Sequence, residues 1–203
     1  SAPDDLAHVG LLVSRELESL RTAGYSTVAD LLNHFPKRHE DRRQLGFAVN
    51  SASLGPICFC AEVVDTTQRR FGQGKGLFEA VLVDANGGLF GSARVTCRWY
   101  NMPFMSKVLA AGQQVVAHGK LKEIDGRFFI DHPEFEILRE DDLEGGSIHL
   151  DRIVPVYRNI SGIAQRRLRE VMHELLGQVD STSLDIGIDV GSGVARADDL
   201  RAV

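Results

Sequence analysis

Two short amphipathic helices are predicted at the start of the chain. Between residues 5 and 20, apolar side chains recur at three- and four-residue steps, the spacing of one helix face. Gly24 then ends or interrupts this helix. A second helix begins at Thr27, a good N-cap residue with an acid three positions later, and stops near Phe35 and Pro36. The pattern therefore predicts a helical hairpin ahead of a basic stretch at 37–43.

The middle of the chain has the two-residue period of β-strands, which starts at Ile57. Turn residues at 86–88 and 125–126 predict two hairpins. Between them, Pro103 suits the first position of a short helix, and Gly112 lies just past its end. The predicted order is strand 57–64, strand 77–83, strand 89–99, helix 103–110, strand 114–122 and strand 127–137.

This order is that of an OB-fold, a small Greek-key barrel whose open face and loops commonly bind oligonucleotides. The expected fold class is mainly β with flanking helices (α+β): a five-stranded OB-fold barrel with an N-terminal helical hairpin and a C-terminal helix. The hairpin and basic segment occupy 1–45, and the barrel occupies 55–138. Beyond an acidic linker at 140–146, an extended segment and a helix capped by Ser161 occupy 147–178. The remainder, 179–203, is a weakly patterned tail with a flexible stretch at 187–193.

The composition is that of an ordinary soluble globular protein. Of 203 residues, 43% are hydrophobic and 25% are charged. No stretch approaches the roughly 18 consecutive apolar residues that a membrane span needs, and the N-terminus carries no secretion signal. We therefore expect a cytoplasmic protein with no membrane partner. Three cysteines are an odd number, which argues against a disulfide framework and predicts reduced, structural thiols.

The net charge taken alone argues against nucleic-acid binding, because the chain has a formal charge of −5. The charge is unevenly distributed, however. Residues 31–107 hold ten Lys and Arg against six Asp and Glu, whereas the chain from Arg139 onward holds eight against twelve. Since phosphate attraction is screened over about 8 to 10 Å, a basic middle can bind DNA despite an acidic tail. Within the basic stretch, Arg42 and Arg43 either form a solvated surface or line a DNA duplex.

Two kinds of catalytic site are disfavoured by spacing. The run GQGKG at 72–76 lacks the four residues between outer glycines, the Ser or Thr and the following helix of a phosphate loop. It is better interpreted as an inter-strand loop that touches DNA phosphates through Arg69, Arg70 and Lys75. The three cysteines lack the paired spacing of zinc ligands, so no metal site is expected and a small metalloenzyme is only a third interpretation.

A cluster of aromatic residues marks the end of the third predicted strand, in the sequence WYNMPF at 99–104. One interpretation is that Trp99 and Phe104 plug the end of the barrel, and for Trp99 this alternative stays open. For Tyr100 and Phe104 we favour stacking on unpaired bases, because flat rings beside cations suit that role.

Four segments resemble the wedge domain of RecG-type ATP-dependent DNA helicases, which remodel stalled replication forks and Holliday junctions. These segments are VADLLNHFPKRHEDRR at 28–43, WYNMPFMSKVLAAGQQVVAHGKL at 99–121, IDHPEFEIL at 130–138 and IVPVYRNISGIAQRRLREVM at 153–172. They occur in the order expected for that family, across roughly residues 6 to 176.

The resemblance implies a wedge at the DNA branch point, which splits nascent from template strands while a separate motor translocates. In this comparison Tyr100 and Phe104 cap unpaired bases, and Arg94, Arg98 and Lys107 hold nearby phosphates. The expected partners are branched DNA and the motor domains of the full-length protein. The alternative from another class is an OB-like protein-interaction module, which the acidic net charge favours.

The sequence contains no Walker A lysine and no helicase acidic box. We therefore expect a fragment, excised or natural, that is not itself an enzyme. No cofactor is expected in this chain, because ATP and Mg²⁺ belong to the motor.

Overall fold

The computed structural model describes residues 5–43, 55–84 and 94–185. The predicted turn at 86–88, the first part of the predicted strand 89–99 and the stretch at 187–193 lie outside these ranges. The strands are β1 (Arg38–Asp41), β2 (Pro56–Arg70), β3 (Gly76–Asp84), β4 (Arg94–Tyr100), β5 (Gln114–Ile124), β6 (Arg127–Asp131), β7 (Glu134–Ile137) and β8 (Ile153–Val156). The helices are a 3-10 helix (Leu6–His8), α1 (Ser14–Thr22), α2 (Val28–Leu32), α3 (Met105–Val108), α4 (Glu140–Leu143) and α5 (Gln165–Asp185).

The chain divides into two compact units. The bounds of the first are Ser1–His34, Ile160–Ile163 and Glu170–Val203, and those of the second are Phe35–Asn159 and Ala164–Arg169. The basic stretch at 37–43 therefore belongs with the barrel, whereas the sequence analysis groups it with the helical hairpin.

The second unit contains the predicted barrel. Its main sheet has the strand order β2-β3-β4-β6-β5-β7, and an additional pairing of β2 with β5 closes it. The neighbours β4 and β6 are parallel, and the other neighbouring pairs are antiparallel. Apart from the added strand β7, this is the closed five-stranded arrangement of an OB-fold, so the predicted fold class is confirmed.

The predicted last strand, 127–137, is divided into β6 and β7. The break lies at His132, which has a φ of 46°, and at Pro133, which has no N–H for a sheet ladder. Strands β6 and β7 both pair with β5, and β6 also pairs with β4. Because of this break, the pairing of β6 with β4 ends at Arg98 and Asp131, two residues before the end of β4. The short helix α3 also differs from its prediction, since it covers less than 103–110.

Alternate side chains along the strands point into the barrel and fill its interior. On β3, Phe78, Ala80 and Leu82 are buried, while the residues between them are half-buried. Trp99 on β4 is 3% exposed, and its ring packs against Phe78 and Phe135 with centroid distances of 5.9 and 5.6 Å. Trp99 is therefore a core residue, which decides the alternative that the sequence leaves open.

The three thiols are free and lie in the barrel wall. Cys60 and Cys97 are buried, and Cys58 is half-buried. Burial raises the pKa of Cys58 and Cys97 to about 12 and that of Cys60 to about 11. Because the thiolate is the reactive form, these cysteines are packing residues, as predicted.

The first unit contains the helical hairpin. The predicted helix at 5–20 is interrupted, because Gly10 has a φ of 73° and α1 begins only at Ser14. The start of α2 agrees with the prediction. The Thr27 side chain accepts a hydrogen bond from the Asp30 backbone N–H at 3.1 Å, and the Asp30 carboxylate accepts one from the Thr27 N–H at 2.9 Å.

The start of the C-terminal helix was predicted wrongly. Ser161 is not its N-cap, because Ile160 and Ile163 form an isolated bridge and Gly162 has a φ of 84°. This turn delays α5 until Gln165. The helix then continues to Asp185, so the first part of the predicted tail is helical.

The basic stretch contributes a strand that the sequence analysis does not predict, since β1 pairs antiparallel with β8. Directly after β1, Arg42 is 2% exposed. Its guanidinium donates hydrogen bonds to Glu40 at 2.6 Å, to Glu136 at 3.1 Å and to the His149 carbonyl at 3.0 Å. A buried guanidinium with these partners cannot reach a DNA phosphate, so the prediction that Arg42 contacts DNA is wrong.

We call Glu40, Arg42, Glu136, His149 and Arg169 the buried ion network. Arg169 donates to Glu136 at 2.8 Å and lies 2.7 Å from His149 Nδ1. Burial alone would raise the pKa of Glu136, but hydrogen bonds from Arg169 and Arg42 outweigh burial and lower this pKa from 4.5 to about 2. Two arginines therefore keep Glu136 ionised inside the unit.

Candidate nucleic-acid interface

The loop that follows β4 is held to the start of β3 by one asparagine. The Asn101 N–H donates to the Gly76 carbonyl at 2.8 Å, and the Asn101 side-chain oxygen accepts from the Gly76 N–H at 3.1 Å. Asn101 has a φ of 56°, a left-handed conformation that Asn adopts more readily than most residues. This pair of hydrogen bonds fixes the position from which the chain turns toward α3.

Two aromatic rings are exposed in this region, Tyr100 at the last position of β4 and Phe104 on the loop, and we call this pair the stacking platform after the role predicted from the sequence. Tyr100 is 40% exposed and Phe104 is 52% exposed. Successive strand residues point to opposite faces, so Tyr100 points outward because Trp99 points into the core. Phe104 does not plug the barrel end, contrary to one interpretation of the sequence. Both rings are therefore accessible to a ligand.

Two side chains adjoin Tyr100, one from β6–β7 and one from its own strand. The His132 ring lies 5.7 Å from the Tyr100 ring, centroid to centroid, and the Arg98 guanidinium lies 5.9 Å from it. His132 lies in the segment IDHPEFEIL, but no pattern in the sequence predicts that it adjoins Tyr100. Its positive φ at the break between β6 and β7 is the feature that presents its ring beside Tyr100.

Arg98 was predicted to hold a DNA phosphate, but the structure pairs it with a carboxylate of the barrel. Its Nε donates to Asp131 at 2.7 Å, and its guanidinium lies 4.3 Å from the centre of the Phe129 ring. Lys122 donates to the same carboxylate at 2.8 Å. Although burial opposes ionisation of Asp131, these two hydrogen bonds lower its pKa. Arg98 is thus paired with Asp131 in the barrel wall, and its guanidinium lies over the Tyr100 ring.

Apart from Arg42 and Arg98, the cations predicted to contact DNA phosphates are exposed, but some of them are already paired with a carboxylate. Arg43 is paired with Asp41 at 2.6 Å, and Arg69 is paired with Glu79 at 3.6 Å. Hydrogen bonds from Arg43 lower the pKa of Asp41 to about 2. Of the eight cations predicted to contact DNA phosphates, four are exposed and have no carboxylate of the described residues within salt-bridge distance. These are Arg70, Lys75, Arg94 and Lys107.

Two grooves adjoin the loop and differ in charge. The first, which we call the ion-paired groove, has a volume of about 300 Å³, and its lining includes Phe104, three carboxylates (Glu40, Glu134 and Glu136) and two arginines (Arg38 and Arg42). The second, the hairpin groove, lies beside the turn between β2 and β3 and has a volume of about 330 Å³. Among its lining residues are Gln68, Arg70, Phe71, Lys75, Leu77 and Met102, and no described residue that lines it is acidic.

Sequence reasoning also missed Phe71. This phenylalanine is 52% exposed in the hairpin groove, although its neighbours Arg70 and Lys75 were singled out. The available signal was an aromatic residue between an arginine pair and a glycine-rich run, which is the same combination that drew attention to Tyr100.

In residues 5–43, 55–84 and 94–185, no three His, Cys, Asp or Glu side chains are grouped so as to hold a metal ion. None of the helices in those ranges has the length and apolar character needed to span a membrane.

Comparison with known proteins identifies similar sequences. A family model described as the RecG wedge domain matches residues 9–179. The ATP-dependent DNA helicase RecG of Thermotoga maritima is 29% identical over 162 residues, which cover 77% of this chain and 19% of the relative. The Escherichia coli (strain K12) protein of the same name is 28% identical over 183 residues, which cover 89% of this chain and 24% of the relative. The chain therefore spans about a fifth to a quarter of the length of these relatives.

A solved structure is also similar. The structure of RecG bound to a three-way DNA junction matches with a TM-score of 0.57 and 26% sequence identity, covering 86% of this chain and 22% of that chain. The likeness thus extends over both the barrel and its helical additions.

Proposed function

Because the chain belongs to the RecG wedge domain family, we propose that it binds branched DNA at the point where the strands separate. The observation that carries this proposal is the stacking platform, two exposed rings on either side of the point where Asn101 anchors the chain to Gly76. A relative with the same fold binds a three-way DNA junction, which supports the proposal.

Stacking explains why a branch would be preferred over linear duplex. A base at a branch point loses a stacked neighbour when the duplex opens, at a cost of a few kcal/mol. An aromatic ring can replace that neighbour and contribute roughly 1 to 3 kcal/mol per base. Linear duplex offers no unpaired base, so the platform contributes little to binding it.

Phosphate contacts would come from the exposed cations. Arg70, Lys75, Arg94 and Lys107 carry charges without a described carboxylate partner. Arg43 and Arg69 can exchange weak surface ion pairs for phosphate, since such pairs contribute little stability. This contribution is independent of base sequence.

The salt dependence of binding tests this proposal. We expect the affinity for a three-way junction, measured by fluorescence anisotropy, to exceed that for duplex of equal length and to fall steeply as salt increases. Lys107→Ala should reduce the slope of log affinity against log salt by about 0.9, the value for one lost phosphate contact.

Lys37→Ala is the matched control. The charge of Lys37 is already balanced by Glu134 at 2.9 Å, and Glu134 keeps Arg38 as a partner at 3.0 Å when Lys37 is removed. The slope should therefore stay unchanged. If the wild-type chain bound junction and duplex equally, or with no salt dependence, the DNA-binding proposal would be abandoned for the protein-interaction alternative.

We further propose that the full-length protein acts as an ATP-dependent helicase on replication forks and Holliday junctions in recombination and repair. In this proposal the chain supplies DNA binding, while ATP and Mg²⁺ bind motor domains elsewhere in the protein. The chain alone should therefore release no phosphate from ATP, with or without forked DNA. Hydrolysis that is stimulated by forked DNA and survives repurification would contradict this assignment.

A further inference from the structure

Phe71 is a large apolar side chain held in solvent at the tip of the hairpin between β2 and β3. Its N–H donates to the Lys75 carbonyl at 2.7 Å, which closes the turn. Gln73 and Gly74 within the turn have φ values of 66° and 74°. The tip is therefore a defined turn, and it presents an aromatic ring that the barrel core does not use.

The hairpin groove beside this ring combines apolar and cationic groups. Leu77 and Met102 supply apolar surface, and Arg70 and Lys75 supply positive charge. A nucleotide has the complementary chemistry, an apolar base face joined to a phosphate. The ion-paired groove lacks this complementarity, since its cations Arg38 and Arg42 are already paired with its own carboxylates.

The hairpin groove adjoins the stacking platform. Asn101 and Pro103, which lie between the two platform rings in sequence, also line this groove. The hydrogen bonds between Asn101 and Gly76 join the loop to the turn end of the hairpin, and the Gln68 side chain donates to the Pro103 carbonyl at 3.5 Å. A strand that leaves the platform on this side therefore meets the hairpin groove next.

We propose that the hairpin groove receives an unpaired nucleotide of the single strand that leaves the branch point. Its base stacks on Phe71, and its phosphates lie near Arg70 and Lys75. A volume of about 330 Å³ suits one small ligand and excludes a duplex. This inference rests on the proposed function and adds to it a third stacking residue and a path for single-stranded DNA.

Junctions that differ in one arm test this inference. We compare a three-way junction that has one single-stranded arm with a junction whose arms are all duplex. Phe71→Ala should weaken binding to the first on the order of tenfold and leave binding to the second unchanged. Phe35→Ala is the matched control, because Phe35 is 72% exposed and lines neither groove, and it should change neither affinity.

A fluorescent base analogue in the single-stranded arm, next to the branch, gives a second readout. Stacking on Phe71 should quench it in the wild type and in Phe35→Ala, and this quenching should be lost in both Phe71→Ala and Phe71→Leu. The leucine variant keeps an apolar side chain at the tip and removes only the ring. A thermal melt of each variant should match the wild type, because Phe71 is exposed.

The variant Tyr100→Ala/Phe104→Ala separates failure of this inference from failure of the proposed function. It should lose affinity for both junctions. If it does so while Phe71→Ala behaves like Phe35→Ala, the hairpin groove is not a nucleotide site and branch binding stands. If neither variant loses affinity, both proposals are overturned. An equal loss for Phe71→Ala on the two junctions would also overturn the single-strand assignment.

Discussion

Replacing both Tyr100 and Phe104 with alanine is expected to weaken binding to a model replication fork by roughly 1 to 3 kcal/mol per ring. Binding to linear duplex should change far less. The two rings are exposed, at the end of β4 and on the anchored loop after it, so their removal deletes stacking surface without opening a cavity in the core. Affinities are measured at one fixed salt concentration, because phosphate contacts depend strongly on salt.

Two controls separate stacking from packing. A thermal melt of the double variant should retain a cooperative transition near that of the wild type. Trp99→Phe probes the other side of the same strand, and it should lower the melting temperature with little preference between fork and duplex, since Trp99 packs among Phe78 and Phe135. Equal losses on fork and duplex for the double variant would refute stacking at the branch.

The second large effect concerns stability. Arg42→Ala is expected to lower the free energy of unfolding by about 3 to 5 kcal/mol, the range for breaking a buried ion pair by removing one partner. Glu40, which is buried, and Glu136, which is half-buried, would each lose a hydrogen-bonded cation. Denaturant unfolding monitored by circular dichroism measures this change.

Arg43→Ala is the matched control, one position along the chain. Arg43 and its partner Asp41 are both exposed, so water replaces the lost contact and stability should barely change. For phosphate contacts with DNA the opposite is expected, because the exposed Arg43 can reach a phosphate whereas the buried Arg42 cannot. Comparable stabilities for the two variants would contradict the assignment of Arg42 to the buried ion network.

The buried ion network should also make the stability of the protein depend on pH in the acid range. Since the folded-state pKa of Glu136 is about 2, below its usual 4.5, this group contributes stability that is fully present above about pH 5. The contribution is lost as pH falls from about 5 toward 2. In Arg42→Ala, Glu136 keeps only Arg169 as a partner, so its pKa should rise and the acid-dependent loss should be smaller. Unfolding curves at neutral and acid pH for both proteins check this expectation.

Features set by neighbours in the chain could be predicted from the sequence. The Thr27 cap follows from a residue type and an acid three positions later, and both act within one helical turn. The two-residue period from Ile57 onward predicts strands because alternate residues face opposite sides of a sheet. The same alternation separates the buried Trp99 from the exposed Tyr100. The order of the strands and the short helix was then sufficient to predict the OB-fold.

Features set by distant partners required the tertiary structure. Arg42 is read as a surface cation in a basic run, yet Glu136 and Arg169, far along the chain, complete a buried ion network around it. The pairing of β1 with β8 likewise joins segments separated by the whole barrel. No local pattern distinguishes a buried arginine from a solvated one, because burial depends on which carboxylates the fold brings to it.

The candidate site divides in the same way. The sequence by itself determined that Tyr100 and Phe104 lie where a strand runs into a short helix, with cations nearby. Only the tertiary structure decided which charges remain available, since Asp131 occupies Arg98 whereas Arg70, Lys75 and Lys107 have no carboxylate partner within the described ranges. It also placed Phe71 beside the platform. The physical reason is that residue type and spacing fix which groups a local segment can present, while the pairing of strands distant in sequence fixes what each group meets.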